Sequence, residues 1–222
     1  MSLVVENNSV KPKSKGEQTK ELILEAAIQV LATHGIKGTT HRAIASQANI
    51  QLSLTTYYFK DIQALIHQAF VLNSIHVTHD GSLAWKKAFE YIEGFEKASL
   101  RKVSTKEELR DVLAQMSAQY LVNQLKDRPI ALAVEQLLFT EIQVTPALRD
   151  LAQQHRKLLM APFIRLCRYF NKHDPHINAD IMLTLFQQIE YRNLAIASTE
   201  IDIDEIKALT RRIIAWVIGL KK

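Results

Sequence analysis

The chain has one cysteine, Cys167, and only 6 glycines and 5 prolines in 222 residues, and each shortage excludes something. A single thiol closes no internal disulfide and supplies no cysteine-based zinc cluster, so a reducing cytoplasmic setting is expected. No run approaches the roughly 18 uninterrupted apolar residues of a membrane span. The opening MSLVVENNSVKPKSKGEQTK lacks the apolar stretch of a secretory leader, so neither export nor membrane association is expected. Gly-rich phosphate loops and G-x-S-x-G are missing too, and no cofactor, metal ligand or catalytic residue is assigned, so an enzyme is not expected. What is present is an apolar share of 47% recurring at three-and-four spacings. That pattern, with so few helix breakers, predicts an all-α protein of about nine to ten helices.

A net charge of +5 permits a polyanionic partner without requiring one. Residues 1–72 hold only two more Lys and Arg than Asp and Glu, a weak footprint for a nucleic-acid reader. Four of those lysines fall within KPKSKGEQTK, so residues 1–16 read as a flexible basic arm, either a solvated tail or one that finds phosphates.

Ile23, Ala26, Ala27, Val30 and Leu31 mark a first amphipathic helix from about Glu17 to His34, stopped by Gly35. Thr40 caps a short second helix, about His41 to Ala48, with Ile44, Ala45 and Ala48 inward; the chain turns at Asn49-Ile50 into a third, about Leu52 to Tyr58. Helix, tight turn and helix, braced by a longer one, is the outline of a helix-turn-helix. Beyond it, helices are expected over 61–79 and 82–100, interrupted or kinked at Asp80-Gly81. Others are expected over 104–125 behind capping boxes in STKEEL, over 128–143, over 146–171 with a kink at Pro162, over 179–198, and from Asp202 or Asp204 to Gly219.

In the third helix Thr55 and Phe59 share one face, while Ser53, Leu54 and Tyr57 share another that has no evident core partner. A hydroxyl-bearing face with one aromatic suits base edges and phosphates. Thr40, His41 and Arg42 bring a hydroxyl, an imidazole and a guanidinium to the positive end of the second helix, a natural phosphate clamp.

The stretch from about Lys20 to Phe70, containing ILEAAIQVLATHGIKGTTHRAIASQANIQLSLTTYYFKDIQALI, resembles the amino-terminal domain of the TetR family of bacterial transcriptional regulators. The resemblance covers about a quarter of the chain. It implies a three-helix DNA-binding domain, about 17–62 and extended by the start of the fourth helix to about 70. A helical ligand-binding and dimerisation domain, 63–222, is implied to follow. It implies a homodimer on a palindromic operator, a repressor released by a small-molecule effector. Position by position, Thr40, His41 and Arg42 match phosphate contacts, Ser53, Leu54 and Tyr57 match base-facing positions, and Thr56 and Tyr58 match backbone contacts. Asn49 stands where the family has a turn glycine, and Ile62 where a phosphate-binding lysine is frequent, leaving Lys60 as the nearest substitute. Weaker electrostatics than the family norm are therefore expected.

In the larger region, aromatics interrupted by polar residues predict an apolar cavity for an organic molecule, with Tyr120, Phe139, Phe163 and Gln188 as candidate ligand contacts. HVTHD, with His76, His79 and Asp80, lacks the further ligand of a zinc site; NKHDPH reads as turn chemistry and Cys167 as a packed thiol. The last two helices are apolar on more than one face, through Ile181, Leu185, Ile189 and Ala195 in one and Ile206, Leu209, Ile213, Trp216 and Val217 in the other. They would close either a four-helix dimer interface or an intramolecular core; the resemblance favours the dimer. Two recognition helices would then enter major grooves roughly 34–36 Å apart, with effector binding tilting the fourth helix. The competing readings are an effector-independent architectural DNA-binding protein, and a helical small-molecule- or metal-binding protein without an operator.

Overall fold

The computed structural model describes residues 14–142, 145–171 and 173–220. The helices are α1 (Lys15–Gly38), α2 (His41–Gln47), α3 (Leu52–Tyr58), α4 (Ile62–Glu93), α5 (Val103–Asp127), α6 (Pro129–Glu141), α7 (Arg149–Phe170), α8 (Pro175–Asn193) and α9 (Ile203–Val217). Short 3-10 turns stand at Ser99–Arg101 and Pro146–Leu148, and no strand occurs among the described residues. The chain divides into two compact units, Met1–Ala69 and Phe70–Lys222. The proposed basic arm lies outside the described residues up to Lys13.

In the first unit, α1 starts two residues before its expected position because Ser14 and Glu17 form a capping box: Glu17 N–H donates to Ser14 Oγ at 3.2 Å and Ser14 N–H to Glu17 Oε2 at 2.7 Å. Regular helix ends at Gly35, whose φ of 64° is cheap only for glycine. Ile23, Ala27, Leu31, Ile44 and Phe59 are buried and hold the three helices to one core. After α2, Ile50 N–H donates to Ala45 O at 3.0 Å and Asn49 N–H to Ser46 O at 3.2 Å, with Asn49 left-handed at φ 53°. This is a Schellman termination carried by asparagine in place of glycine. Asn49→Val should therefore lower the unfolding free energy by about 1–2 kcal/mol, while Asn49→Gly stays within a few tenths. Denaturant midpoints of the two variants beside wild type check this, and equal midpoints would remove the strain argument.

In the second unit, α5 lies along α9 and α7 along α8, around Ile92, Leu109, Leu121, Leu132, Met182 and Ile206. Four sequence-based expectations need correction. The helix expected to be interrupted or kinked at Asp80-Gly81 is continuous from Ile62 to Glu93. One glycine costs a helix only about 1 kcal/mol relative to alanine, and Val77, Ala88, Phe89 and Ile92 are buried on either side of it. The STKEEL capping boxes do not start α5. Lys102 takes the extended N-cap conformation, Ser104 and Thr105 lie inside the first turn, and Thr105 is buried. α8 begins at Pro175, four residues before the expected 179, since proline at a first helical position sacrifices no hydrogen bond, and it ends at Asn193 rather than 198. The helix expected from 146 begins at Arg149, behind a 3-10 turn at Pro146–Leu148, and Pro162 lies inside it as expected. Asp202 does cap α9, accepting from the backbone N–H of Asp204 and Glu205 at 2.9 and 3.0 Å.

Candidate functional site

In the first unit, α3 divides cleanly. Thr55 is fully buried, its hydroxyl donating to Leu52 O at 2.8 Å, and Phe59 is buried beneath Lys20, whose Nζ stands 5.5 Å from the ring centroid. Ser53, Leu54, Thr56 and Tyr57 are exposed, Tyr57 to 76%, and Tyr58 is half-buried with its ring edge-on to Tyr57 at 5.1 Å. A tyrosine that open has no part in the core. Thr40 accepts from Ala43 N–H at 3.1 Å, fixing the α2 N-terminus, and Arg42 beside it is exposed. His41 is half-buried, and its Nδ1 has no partner among the described residues. Neither Arg42 nor Lys60 is engaged in an ion pair among the described residues. The set Thr40, His41, Arg42, Ser53, Leu54, Thr56, Tyr57, Tyr58 and Lys60 thus contains no fully buried side chain.

In the second unit, α4 through α8, with Ile214 of α9, line a cavity of about 1030 Å³. Trp85 stacks on Phe89 with centroids 5.4 Å apart, Phe163 meets Trp85 edge-on at 4.8 Å, and Phe186 meets Phe163 at 5.5 Å. All four rings line the cavity, with Tyr120, Met116 and Met182. Of the ligand contacts expected from sequence, Tyr120 and Phe163 are in the wall. Phe139 and Gln188 are not: Phe139 packs against the His155 ring at 5.8 Å, and Gln188 is exposed, one helical step of about 100° from Gln187, which is in the wall.

The polar part of the wall is built on Glu135, which is 3% exposed. Its Oε1 accepts from Tyr191 Oη at 2.9 Å and Gln187 Nε2 at 3.1 Å. Its Oε2 stands 3.2 Å from His155 Nε2, and His155 Nδ1 is 2.6 Å from Ser74 Oγ. Burial and the neighbouring Glu135 carboxylate both hold the Tyr191 hydroxyl well above its usual range. Serine, histidine and glutamate in series also outline a nucleophilic relay, but Ser74 and His155 are buried and neither lines the cavity. A substrate in the cavity does not meet that hydroxyl, and the series acts as a polar tie between α4, α7 and α6.

Glu190, one residue before Tyr191, also lines the cavity. Burial, then the Glu135 charge, raise its carboxyl well above the ordinary carboxylate range. Sequence reading missed Glu190. The signal was a glutamate four residues after Phe186 on the stripe that carries Met182, Phe186 and Ile189 to the core. Cys167 is fully buried and burial pushes its thiol up to about 11, as a packed thiol requires. No group of three or more metal-ligating side chains occurs among the described residues.

The residues expected at a dimer face separate into two sets. Ile189, Ile206, Ile213 and Val217 are buried in the chain's own core, and Leu209 packs against it. α9 turns its apolar face onto α5, where the Thr210 hydroxyl reaches Ala114 O at 3.3 Å. Ile181, Leu185, Ala195 and Trp216 are exposed, joined by Ile177 and Ile196, which sequence reading left out.

Residues 23–69 match the model of the bacterial regulatory proteins, tetR family. A TetR-like transcriptional regulator from Rhodococcus sp. RHA1 superposes with a TM-score of 0.60 at 18% identity, over 95% of this chain and 100% of that one. A TetR family member from Streptomyces coelicolor A3 gives 0.59 at 21%, over 88% and 98%. The multidrug binding protein EbrR, in complex with proflavin, gives 0.54 at 22%, over 88% and 99%. No curated protein matches the sequence. The chain therefore has the all-helical fold of the TetR-family transcriptional regulators, with the tetR-family segment as its helix-turn-helix. None of its described helices is long and apolar enough to cross a membrane.

Proposed function

We propose that this chain is a sequence-specific DNA-binding regulator, a homodimer that represses from a palindromic operator and is released by a small molecule. The observation that carries the reading is the outer face of α3. Ser53, Leu54, Thr56 and Tyr57 are held on a helix whose other side is locked by Thr55 and Phe59, and none of them contributes to the core. A surface that rigid and that polar, beside the uncommitted Arg42, is built to meet something outside the chain, and base edges with phosphates match its chemistry. Exposed apolar residues of α8 and α9, Ile177, Ile181, Leu185 and Trp216, support self-association about a two-fold axis. The aromatic cavity supports an effector site, and α4 carries cavity residues from Val77 onward on the helix that begins shortly after α3.

Selection of fragments from a random DNA pool, followed by sequencing, tests the reading. A palindrome with two equivalent half-sites is expected. On it, Tyr57→Ala should cost about 1–3 kcal/mol and relax the preference at the contacted positions. Arg42→Ala should weaken all sequences alike and lower the salt-dependence slope by about 1. Binding without an enriched sequence would favour an architectural protein instead, and a variant pair that binds like wild type would remove this face from the interface.

A further inference from the structure

Five acidic side chains line the cavity, and four of them are already engaged. Asp80 pairs with Arg128 at 2.8 Å, Glu90 with Lys86 at 3.9 Å, Glu93 with Arg165, and Glu135 with His155, Gln187 and Tyr191. Glu190 is the exception: no hydrogen bond or ion pair reaches its carboxyl among the described residues. It is half-buried and lies in the cavity wall, open to whatever occupies the space. A carboxyl with no protein partner, facing a cavity, offers a place for a complementary group to enter.

The rest of the wall says what kind of partner. Trp85, Phe89, Phe163 and Phe186 form a connected aromatic surface; the Arg165 guanidinium already lies over the Phe89 ring at 3.9 Å, and the remaining ring faces attract positive charge and take a flat apolar body. An anion would add like charge beside Glu190 and Glu135. The titratable groups coupled to Glu190 are Glu135, Tyr191 and Tyr120, and of the cations that line the cavity Lys86 is paired with Glu90 and Arg165 with Glu93. Lys87 also lines the cavity but is exposed.

We propose that the cavity takes an organic cation with a flat aromatic body, its charge set against the Glu190 carboxylate and its rings among Trp85, Phe89, Phe163 and Phe186. This rests on the reading of the cavity as the effector site and gives that effector its chemical class. Glu190 serves as the selectivity residue, and the paired Glu135 holds its neighbours Gln187 and Tyr191 in place.

The test uses the purified full chain and two probes of one shape, 10-methylacridinium and 9-methylanthracene, which differ in a ring N⁺ replaced by carbon. Each is titrated by its own fluorescence. The cation should bind about tenfold or more tightly than the hydrocarbon, and Glu190→Gln should bring that preference below about threefold while leaving 9-methylanthracene affinity unchanged. Lys87→Gln should leave the preference in place. Equal affinities of wild type for the two probes would overturn the proposal, and this comparison needs no variant to fold. A cation preference that survives Glu190→Gln, in protein with wild-type helix content, would overturn it as well. The cation is then added to the protein on its selected DNA fragment. Release supports both readings; tight binding without release overturns the effector role and leaves the cation site standing.

Discussion

Glu135→Ala should lower the unfolding free energy by about 2–4 kcal/mol, because its donors lose their shared acceptor. The carboxylate accepts from two donors on α8, Tyr191 and Gln187, at one oxygen, and its other oxygen stands 3.2 Å from His155 Nε2 on α7. Alanine leaves the half-buried Tyr191 and Gln187 without that acceptor, at a penalty of about 1–3 kcal/mol for each group that stays dry. Water admitted from the cavity would recover part of it. Glu135→Gln keeps the shape and an acceptor but turns an amide donor or a neutral oxygen toward His155, so a smaller loss of about 1–3 kcal/mol is expected. Urea unfolding at one fixed protein concentration, with helix content and tryptophan emission followed together, measures both. An alanine variant within about 1 kcal/mol of wild type would show that the network is dispensable.

The helix-turn-helix was legible in the sequence almost residue for residue, because each of its signals is local. Thr40 caps within three residues, Asn49 sets its own backbone angle, and Thr55 and Phe59 are sorted from Ser53 and Tyr57 by helical period alone. The larger unit was legible as helices but less so at their ends. Ser104 and Thr105 offered good caps, yet the chain turns into α5 before reaching them, and Gly81 was read as a break or kink although packing on both sides carries the helix through. Neither the dimer face nor the cavity wall could be sorted from periodicity. α9 has enough apolar residues for two faces, and only the tertiary position of α5 decides that Ile206, Ile213 and Val217 turn inward while Trp216 stays out. Gln187 and Gln188 differ by one helical step, and nothing short of the position of α6 tells which one meets Glu135.

The second large effect is a pH dependence of stability that disappears with Glu190. Its carboxyl is raised in the folded chain, first by burial and then by Glu135, and no described cation opposes the shift. Unfolded, it titrates near the ordinary value of about 4.3. Between that value and the raised one the folded chain holds a proton that the unfolded chain has lost, so the stability contribution is complete below the unfolded value and declines as pH rises toward the folded one. Glu190→Gln, which never ionises, should match wild type in acid and become progressively the more stable of the two above about pH 5, by up to about 1.4 kcal/mol per pH unit. Tyr120 and Tyr191, both raised, stay neutral throughout that window, and Glu135 and the Asp80–Arg128 pair are common to both proteins. The difference between the two unfolding curves therefore isolates Glu190. A bound organic cation should close the gap, since its charge offsets the cost of ionising the carboxyl and its binding energy is available only to the folded chain. Parallel curves from about pH 5 to 8 would mean that Glu190 titrates as a solvated carboxylate, with no ionisation cost for a cation to offset.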